Sequence, residues 1–164
     1  MKKTVNVVIA GLGGQGVIKA SDILSEAAFR AGLEVKKSEI HGMSQRGGSV
    51  TSDVRFGVQV LSPMVPPGEA DFLVVLAPDQ VEVNRGQLRR GGVLIAPDMV
   101  DAATLANRKS FNVALLGALS THLKLSDECW RSALQACLPE KLHAANEQAF
   151  EAGRQAALAA ESNS

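Results

Sequence analysis

The stretch Val5-Asn6-Val7-Val8-Ile9-Ala10-Gly11-Leu12-Gly13-Gly14-Gln15-Gly16 determines the fold class of this chain. Its first six residues form a mostly apolar run, which is typical of a strand buried on both faces of a parallel sheet. Glycines follow at once, and apolar residues then recur at helical spacing over residues 17–31. Gly32 predicts the C-terminal cap of this helix, and residues 33–38 predict a second strand. Together these segments form a βαβ unit.

Further strands and helices are predicted from apolar periodicity along the rest of the chain. The strands are expected at 50–56, 58–61, 71–77 and 93–96, and the helices at 81–90, 111–124, 127–138 and 140–160. Gly57 is expected to turn the chain between the first two of these strands, and Ser126 to cap a helix. The pattern indicates one α/β domain over residues 1–160 and a disordered tail at 161–164. We expect this domain to be Rossmann-like, with a mostly parallel sheet flanked by helices and a helical C-terminal third.

Composition excludes several classes of protein. The chain has 164 residues with 17 Lys plus Arg and 17 Asp plus Glu, so its formal net charge is +0. It therefore lacks the basic surface of a general nucleic-acid-binding protein. No apolar run approaches the roughly 20 residues of a membrane span. The two cysteines, Cys129 and Cys137, are too few to hold an iron–sulfur cluster or to form a disulfide framework. Because the sequence lacks both a disulfide framework and a membrane span, we expect a cytoplasmic protein.

The glycine loop that follows the first strand matches the pattern G-x-G-x-x-G through Gly11, Gly13 and Gly16. Glycine permits a close approach to the backbone, and a helix N-terminus offers N–H groups to phosphate. Gln15 stands where dinucleotide-binding motifs usually have an apolar residue. Glu39, the acidic residue nearest the expected ribose-binding position, follows a pair of lysines. The loop is therefore either a phosphate-binding turn or a tight turn whose glycines serve packing alone.

A second loop, residues 41–49, reads His41-Gly42-Met43-Ser44-Gln45-Arg46-Gly47-Gly48-Ser49. Arg46 suits a bidentate contact to a carboxylate or phosphate, and the glycines beside it allow close backbone approach. Loops at the carboxyl ends of parallel strands gather at one crevice, so the two loops are expected to face each other. A solvated Arg46 without a ligand is the alternative. The candidate binding residues are Gly11, Gly13, Gly14, Gln15, Gly16, Gly42, Gln45, Arg46, Gly47, Gly48 and Ser49.

No constellation in the sequence predicts catalysis by this chain alone. His41 has no evident nucleophile beside it, and His122 and His143 lack the spacing of metal ligands. We therefore predict neither a catalytic nor a metal-binding residue. A cofactor or partner would have to supply the reactive group.

The combination of the two loops resembles the gamma subunit of 2-oxoacid:ferredoxin oxidoreductases. The form H-G-M-x-Q-R-G-G-S-V is most similar to the small beta subunit of indolepyruvate:ferredoxin oxidoreductases. The resemblance continues through Ser52-Asp53-Val54-Arg55, the stretch 112–118 that begins with Asn112, and the stretch 146–153. It therefore covers nearly the whole chain.

The resemblance implies an enzyme complex that oxidatively decarboxylates a 2-oxoacid, such as indolepyruvate or pyruvate, with coenzyme A. The products are an acyl-CoA and CO2, and ferredoxin accepts the electrons. The thiamine motif and cluster cysteines of the family are absent from this sequence, which implies that thiamine diphosphate and the iron–sulfur clusters reside on a larger partner subunit. The chain would be inactive alone, hold no tightly bound cofactor, and contribute assembly and a CoA-facing surface. Homodimerisation within the complex is compatible with this role.

Two other functions stay open at the level of the residues. One is a free-standing Rossmann-type domain that binds NAD(P) or a flavin. The other is an assembly module with no small ligand.

Overall fold

A computed structural model describes residues 4–41 and 48–163. Its five strands form one sheet in the order β2-β3-β1-β4-β5. The strands are β1 (Thr4–Leu12), β2 (Glu34–His41), β3 (Ser49–Gly57), β4 (Ala70–Val75) and β5 (Leu88–Ile95). β4 is parallel to β1 and β5 is parallel to β4, whereas β3 runs antiparallel to both β1 and β2. Every described strand except β3 thus points the same way, which confirms the predicted Rossmann-like, mostly parallel architecture, as a mixed sheet.

Five helices connect and cover these strands in the described ranges. They are α1 (Val17–Arg30), α2 (Val81–Asn84), α3 (Phe111–Ser120), α4 (Asp127–Cys137) and α5 (His143–Ser162). Gly32 follows α1 with a φ of 84°, and its N–H donates to the carbonyl of Phe29 at 3.0 Å, as expected of a C-terminal cap. The hydroxyl of Ser126 accepts the N–H of Cys129 at 3.2 Å and caps α4 as predicted. Within the described ranges no helix has the length and apolar character needed to cross a bilayer.

The main core lies on one face of the sheet, because side chains alternate between the two faces of a strand. Val7, Ile9, Val54 and Val74 project from the strands into this core, which α1, α3, α4 and α5 cover. A smaller cluster on the opposite face contains Val8, Ala10, Leu73 and Val75, and the loop residue Val65 packs onto it. Since both faces of β1 and β4 are buried, their sequences read as continuous apolar runs.

The backbones of α3 and α5 touch at two glycines. A Cβ on Gly117 would lie 2.0 Å from the carbonyl oxygen of Phe150, and one on Gly153 would lie 1.7 Å from that of Ala114. No side chain fits in either place. The two helices therefore pack at a separation that only glycine permits.

The predicted strand at 58–61 is wrong. The chain leaves the sheet after Gly57, and Val58 and Leu61 are 83% and 81% exposed. The guanidinium of Arg55 donates to the carbonyl of Ser62 at 2.9 Å, and the N–H of Val65 donates to Asp53 at 2.9 Å. These bonds fold the segment back over the sheet, so it has no neighbouring strand with which to pair.

The predicted helix over 81–90 is mostly wrong. α2 ends at Asn84, a 3-10 turn spans Arg85–Gln87, and β5 begins at Leu88. Gly91 and Gly92 lie inside β5 instead of ending a helix. Arg89 donates from Nε to the carboxylate of Asp71 at 2.7 Å, a contact between strands that extends β5 toward its start.

The C-terminal helices occur where predicted but with different ends. α3 ends at Ser120 and α4 at Cys137, whereas α5 follows a 3-10 turn at Glu140–Leu142. α5 reaches Ser162 and so enters the stretch we expected to be a tail. The domain bounds stay a prediction.

Candidate functional site

The first glycine-rich loop and the described end of the second, Gly48 and Ser49, meet at the carboxyl edge of the parallel strands. Val50 at the start of β3 pairs with Gly11 near the end of β1 and with His41 at the end of β2. The N–H of Gly13 donates to the carbonyl of Gly48 at 2.9 Å, which joins one loop to the other. Of the sequence-predicted site residues, Gly42, Gln45, Arg46 and Gly47 lie outside the described residues. Gly48 and Ser49 are described, and both are half-buried at this junction.

Two glycines of the first loop adopt left-handed backbone conformations. The φ angles of Gly14 and Gly16 are 87° and 84°, a region that other residues rarely occupy. A Cβ on Gly16 would also lie 2.5 Å from Nδ2 of Asn112, whereas one on Gly14 would meet nothing within 4 Å. A side chain at Gly16 is therefore excluded by Asn112 of α3, whereas there is free space where a side chain of residue 14 would lie.

Gln15 closes the glycine loop from within. Its side-chain Oε1 accepts the N–H of Leu12 at 2.7 Å, and its own N–H donates to the carbonyl of Leu12 at 3.1 Å. A Cβ on Gly11 would lie 2.9 Å from that Oε1, so Gly11 makes room for the amide. This contact explains why a polar residue stands where dinucleotide-binding motifs usually have an apolar one. The assignment of Gln15 to ligand binding stays a prediction. Within the loop, its Oε1 is already engaged by the N–H of Leu12.

Some backbone N–H groups of the glycine loop already donate within the protein, so they are not available to bind an anion. The N–H groups of Gly13 and Gln15 donate to carbonyls within the two loops. No bond between described residues uses the N–H of Gly14 or Gly16. The first turn of α1 contains no acidic residue, so no carboxylate there competes for the positive end of the helix dipole.

Asn112 is a site residue that motif analysis alone did not single out. Its side-chain Nδ2 donates to the carbonyl of Gly16 at 3.1 Å, although the two residues are 96 positions apart. Asn112 is only 6% exposed and lies in the first turn of α3. The sequence signal was a single amide at the start of an otherwise apolar helix. Its role is to hold the glycine loop against α3.

A crevice of about 650 Å3 opens beside the glycine loop, at the carboxyl ends of β4 and β5. Its walls are mostly apolar and include Leu76, Leu94, Val100 and Phe111. The N–H of Leu76 donates to the carbonyl of Ala10 at 2.9 Å, which places the crevice next to the end of β1. Open α/β sheets bind ligands at this position.

Arg85 is a cationic residue in the lining of this crevice, and no sequence motif marked it. Its guanidinium pairs with Glu82 at 2.9 Å, and its side chain is 52% exposed. The hydrogen bond and charge of Glu82 raise the pKa of Arg85. Asp98 lines the same crevice.

The acidic residue expected at a ribose-binding position has another partner. Glu39 accepts a hydrogen bond from the ammonium of Lys37 at 2.9 Å, and Lys37 also pairs with Asp22 on α1. Burial lowers the pKa of Lys37, but its bonds to Asp22 and Glu39 outweigh that effect and raise the pKa. This arrangement gives no support to a dinucleotide site of the usual kind.

The described residues hold no grouping of three or more His, Cys, Asp or Glu side chains that could bind a metal. Cys129 and Cys137 are free and half-buried. Burial, followed by the nearby charges of Glu26 and Asp22, raises the pKa of the Cys137 thiol, which disfavours the reactive thiolate.

Comparison with known proteins then decides the family. The model of the pyruvate ferredoxin/flavodoxin oxidoreductase family matches residues 6–156. The chain belongs to this family. Subunit IorB of indolepyruvate oxidoreductase from Thermococcus kodakarensis is 37% identical, over 94% of this chain and 96% of that protein. The family resemblance read from the two loops is thereby confirmed.

Two solved structures of family members share the fold. The gamma subunit of a keto/oxoacid ferredoxin oxidoreductase from Geobacter sulfurreducens has a TM-score of 0.80 at 25% identity, with 97% of this chain and 99% of that one covered. The 2-oxoglutarate:ferredoxin oxidoreductase of Magnetococcus marinus, with 2-oxoglutarate, coenzyme A and succinyl-CoA bound, has a TM-score of 0.81 at 25% identity. The match covers 97% of this chain but 32% of the Magnetococcus chain.

Proposed function

We propose that this chain is the small subunit of a 2-oxoacid:ferredoxin oxidoreductase of the indolepyruvate type, and that its glycine-loop edge faces coenzyme A in the assembled enzyme. The subunit role rests on family membership and on the 37% identity to a subunit of indolepyruvate oxidoreductase. The observation that carries the CoA-facing role is the joining of the two loops by the Gly13–Gly48 hydrogen bond, beside the open side of Gly14. A related structure that contains coenzyme A supports this role.

The complete reaction requires more than this chain. A 2-oxoacid loses its carboxyl group as CO2, the thiol of coenzyme A gives up its proton as its sulfur bonds to the remaining acyl carbon, and ferredoxin takes up the two electrons released. Thiamine diphosphate would stabilise the carbanion left after decarboxylation. The proposal assigns the thiamine and the iron–sulfur clusters to a larger partner subunit in the cytoplasm. The match covers only 32% of the Magnetococcus chain, which supports the need for protein beyond a unit of this size.

The residues of this chain would bind and orient coenzyme A. The N–H groups of Gly14 and Gly16, at the positive end of α1, suit a phosphate oxygen. The apolar walls of the crevice suit the uncharged arm of the coenzyme, whereas the charge of Arg85 in the lining is balanced by its partner Glu82. None of these groups transfers a proton or an electron, so the chain is expected to have no turnover alone.

The test places a negative charge at Gly14 in the reconstituted complex. Gly14→Asp introduces a carboxylate where the proposal expects a phosphate, and Gly14→Asn is its neutral match, since both residues tolerate a left-handed conformation better than most. We expect Gly14→Asp to raise the KM for coenzyme A about tenfold over Gly14→Asn, because like charges repel at short range. The KM for the 2-oxoacid should not change.

Equal KM values for coenzyme A in the two Gly14 variants would remove the loop from the CoA site. If assembly were also normal, the chain would be a ligand-free assembly module. Failure of the chain to bind any larger thiamine-containing partner would contradict the subunit assignment itself.

A further inference from the structure

A second cavity lies at the opposite edge of the sheet, where the parallel strands begin. Its volume is about 460 Å3, within the usual range for small-molecule sites. The starts of β1, β4 and β5, the end of β3 and the connection between α3 and α4 surround it. We call it the amino-edge cavity. The length of β1 separates it from the glycine loop by roughly 20 Å, so it is independent of the CoA-facing edge.

The walls of the amino-edge cavity are predominantly apolar. They are formed by Val5, Leu33, Phe56, Phe72, Leu123 and Leu125. The rings of Phe72 and His122 stand 5.7 Å apart at an angle of 42°, and both line the cavity. A flat ring or a branched apolar chain suits such walls, whereas a sugar or a polyphosphate would lose its hydration without compensation.

The rim of the amino-edge cavity carries two cationic side chains, Lys124 and Arg89, and one carboxylate, Asp71. Lys124 is exposed there and makes no ion pair with a carboxylate among the residues the structure describes. The Nε of Arg89 donates to Oδ1 of Asp71 at 2.7 Å, while Oδ2 of Asp71 accepts the N–H of Asn6 at 2.8 Å. Since both oxygens of Asp71 are engaged by the protein, an anion at the rim would meet Lys124 and the outer face of Arg89.

We propose that the amino-edge cavity is a binding site for a small carboxylate that carries an aromatic ring or a branched apolar chain. The apolar part lies against Phe72, His122 and Leu123, and the carboxylate lies at Lys124. Walls and rim together favour this class, because the apolar part leaves water against the walls while the carboxylate is attracted to the exposed ammonium of Lys124. The site goes beyond the proposed function, which assigns coenzyme A to the other edge of the sheet.

The direct test is a calorimetric titration of the full chain with phenylacetate and, as a neutral match, phenylacetamide. We expect saturable binding of phenylacetate at one site and about fivefold weaker binding of the amide. Lys124→Gln should weaken phenylacetate binding by a similar factor. The matched variant Lys109→Gln removes an exposed lysine elsewhere and should leave binding unchanged.

A second pair of variants tests the walls. Leu123→Trp fills the cavity and should abolish binding, whereas Leu158→Trp, on the surface of α5, should not. If Leu123→Trp failed to fold, as judged by circular dichroism, the lysine pair would still decide. Absence of saturable phenylacetate binding, or equal binding by the Lys124→Gln and Lys109→Gln variants, would overturn the proposal.

The same titration on the reconstituted complex separates a ligand from a partner chain. Retained binding supports a small-molecule site in the enzyme. Loss of binding on assembly would mean that a partner chain covers the cavity, and would overturn the proposal. Neither result alters the KM for coenzyme A of the Gly14 variants, so the two proposals fail separately.

Discussion

Gly14 and Gly16 have the same backbone conformation but different surroundings, and this contrast can be measured. Gly14→Ala should destabilise the chain by about 1–2 kcal/mol through the left-handed conformation alone. Gly16→Ala should cost at least about 1 kcal/mol more, because its Cβ would meet Asn112 at 2.5 Å. Urea unfolding of both variants gives the difference. The double variant Gly16→Ala with Asn112→Ala should lose less free energy of unfolding than the two single variants lose together. Strict additivity would contradict the contact between these residues.

A buried carboxylate on β3 makes stability depend on pH. Burial raises the pKa of Asp53, although its bond from the N–H of Val65 and the charge of Arg55 act in the opposite direction. A carboxyl with a raised folded-state pKa favours folding while protonated, and this contribution is lost as the pH rises from the unfolded value through the folded one. Asp53→Asn mimics the protonated form and retains an oxygen for Val65.

The free energy of unfolding of Asp53→Asn, relative to the unmodified chain, should therefore increase between about pH 3 and pH 7. Urea denaturation at both pH values measures it. The exposed Asp79→Asn variant controls for the loss of one surface charge. A difference that decreased with pH would show that the bond from Val65 dominates.

At the scale of elements, α3 and α5 cross with their backbones in contact at Gly117 and Gly153. Gly153→Ala would place a methyl group 1.7 Å from the carbonyl oxygen of Ala114, and neither backbone can yield without separating the helices. We expect a loss of more than about 3 kcal/mol in the free energy of unfolding. Gly86→Ala, where a Cβ would meet nothing within 4 Å, should change it by less than about 0.5 kcal/mol. Similar thermal midpoints for the two variants would refute this packing.

Elements defined by local periodicity could be predicted from the sequence, and those defined by distant partners could not. β1, α1 and the cap at Gly32 follow from neighbouring residues, and all occur as expected. The start of β5 reads as helix because its charged residues lie at an exposed sheet edge. Its strand conformation depends on pairing with β4 and on the contact between Arg89 and Asp71, 18 residues away.

In the candidate site, too, features set by neighbouring residues could be predicted from the sequence and contacts between distant residues could not. The motif predicted the glycine loop and its place at a helix start, but the hydrogen bond from Asn112 spans 96 residues. Gln15 appeared as a departure from a binding pattern, and the structure shows it as a side chain that closes the turn. Arg85 had no motif to mark it. It lies at the crevice because β4 and β5 are adjacent and parallel, which is a property of the sheet.

For the whole molecule, the decisive question is whether the two loops act on coenzyme A as one unit. Arg46, predicted from the sequence to grip an anion, lies outside the described residues, two positions before Gly48. In the reconstituted complex Arg46→Ala should raise the KM for coenzyme A. The free energy of unfolding of the free chain should change by less than about 0.5 kcal/mol, since the sequence predicts a polar, glycine-rich loop around Arg46. The KM for coenzyme A with an exposed-arginine control, Arg108→Ala, should be unchanged.

If Arg46 and the amides beside Gly14 hold the same phosphate across the Gly13–Gly48 junction, their substitutions will not be independent. The double variant Gly14→Asp with Arg46→Ala should then raise the KM for coenzyme A by less than the product of the two single effects, because one lost anion contact cannot be lost twice. Steady-state kinetics of the four complexes measures this coupling. If the increase in KM for the double variant equalled the product of the two single increases, the two loops would bind separate parts of coenzyme A. An unchanged KM in Arg46→Ala would exclude that arginine from the site and leave the glycine loop to act alone.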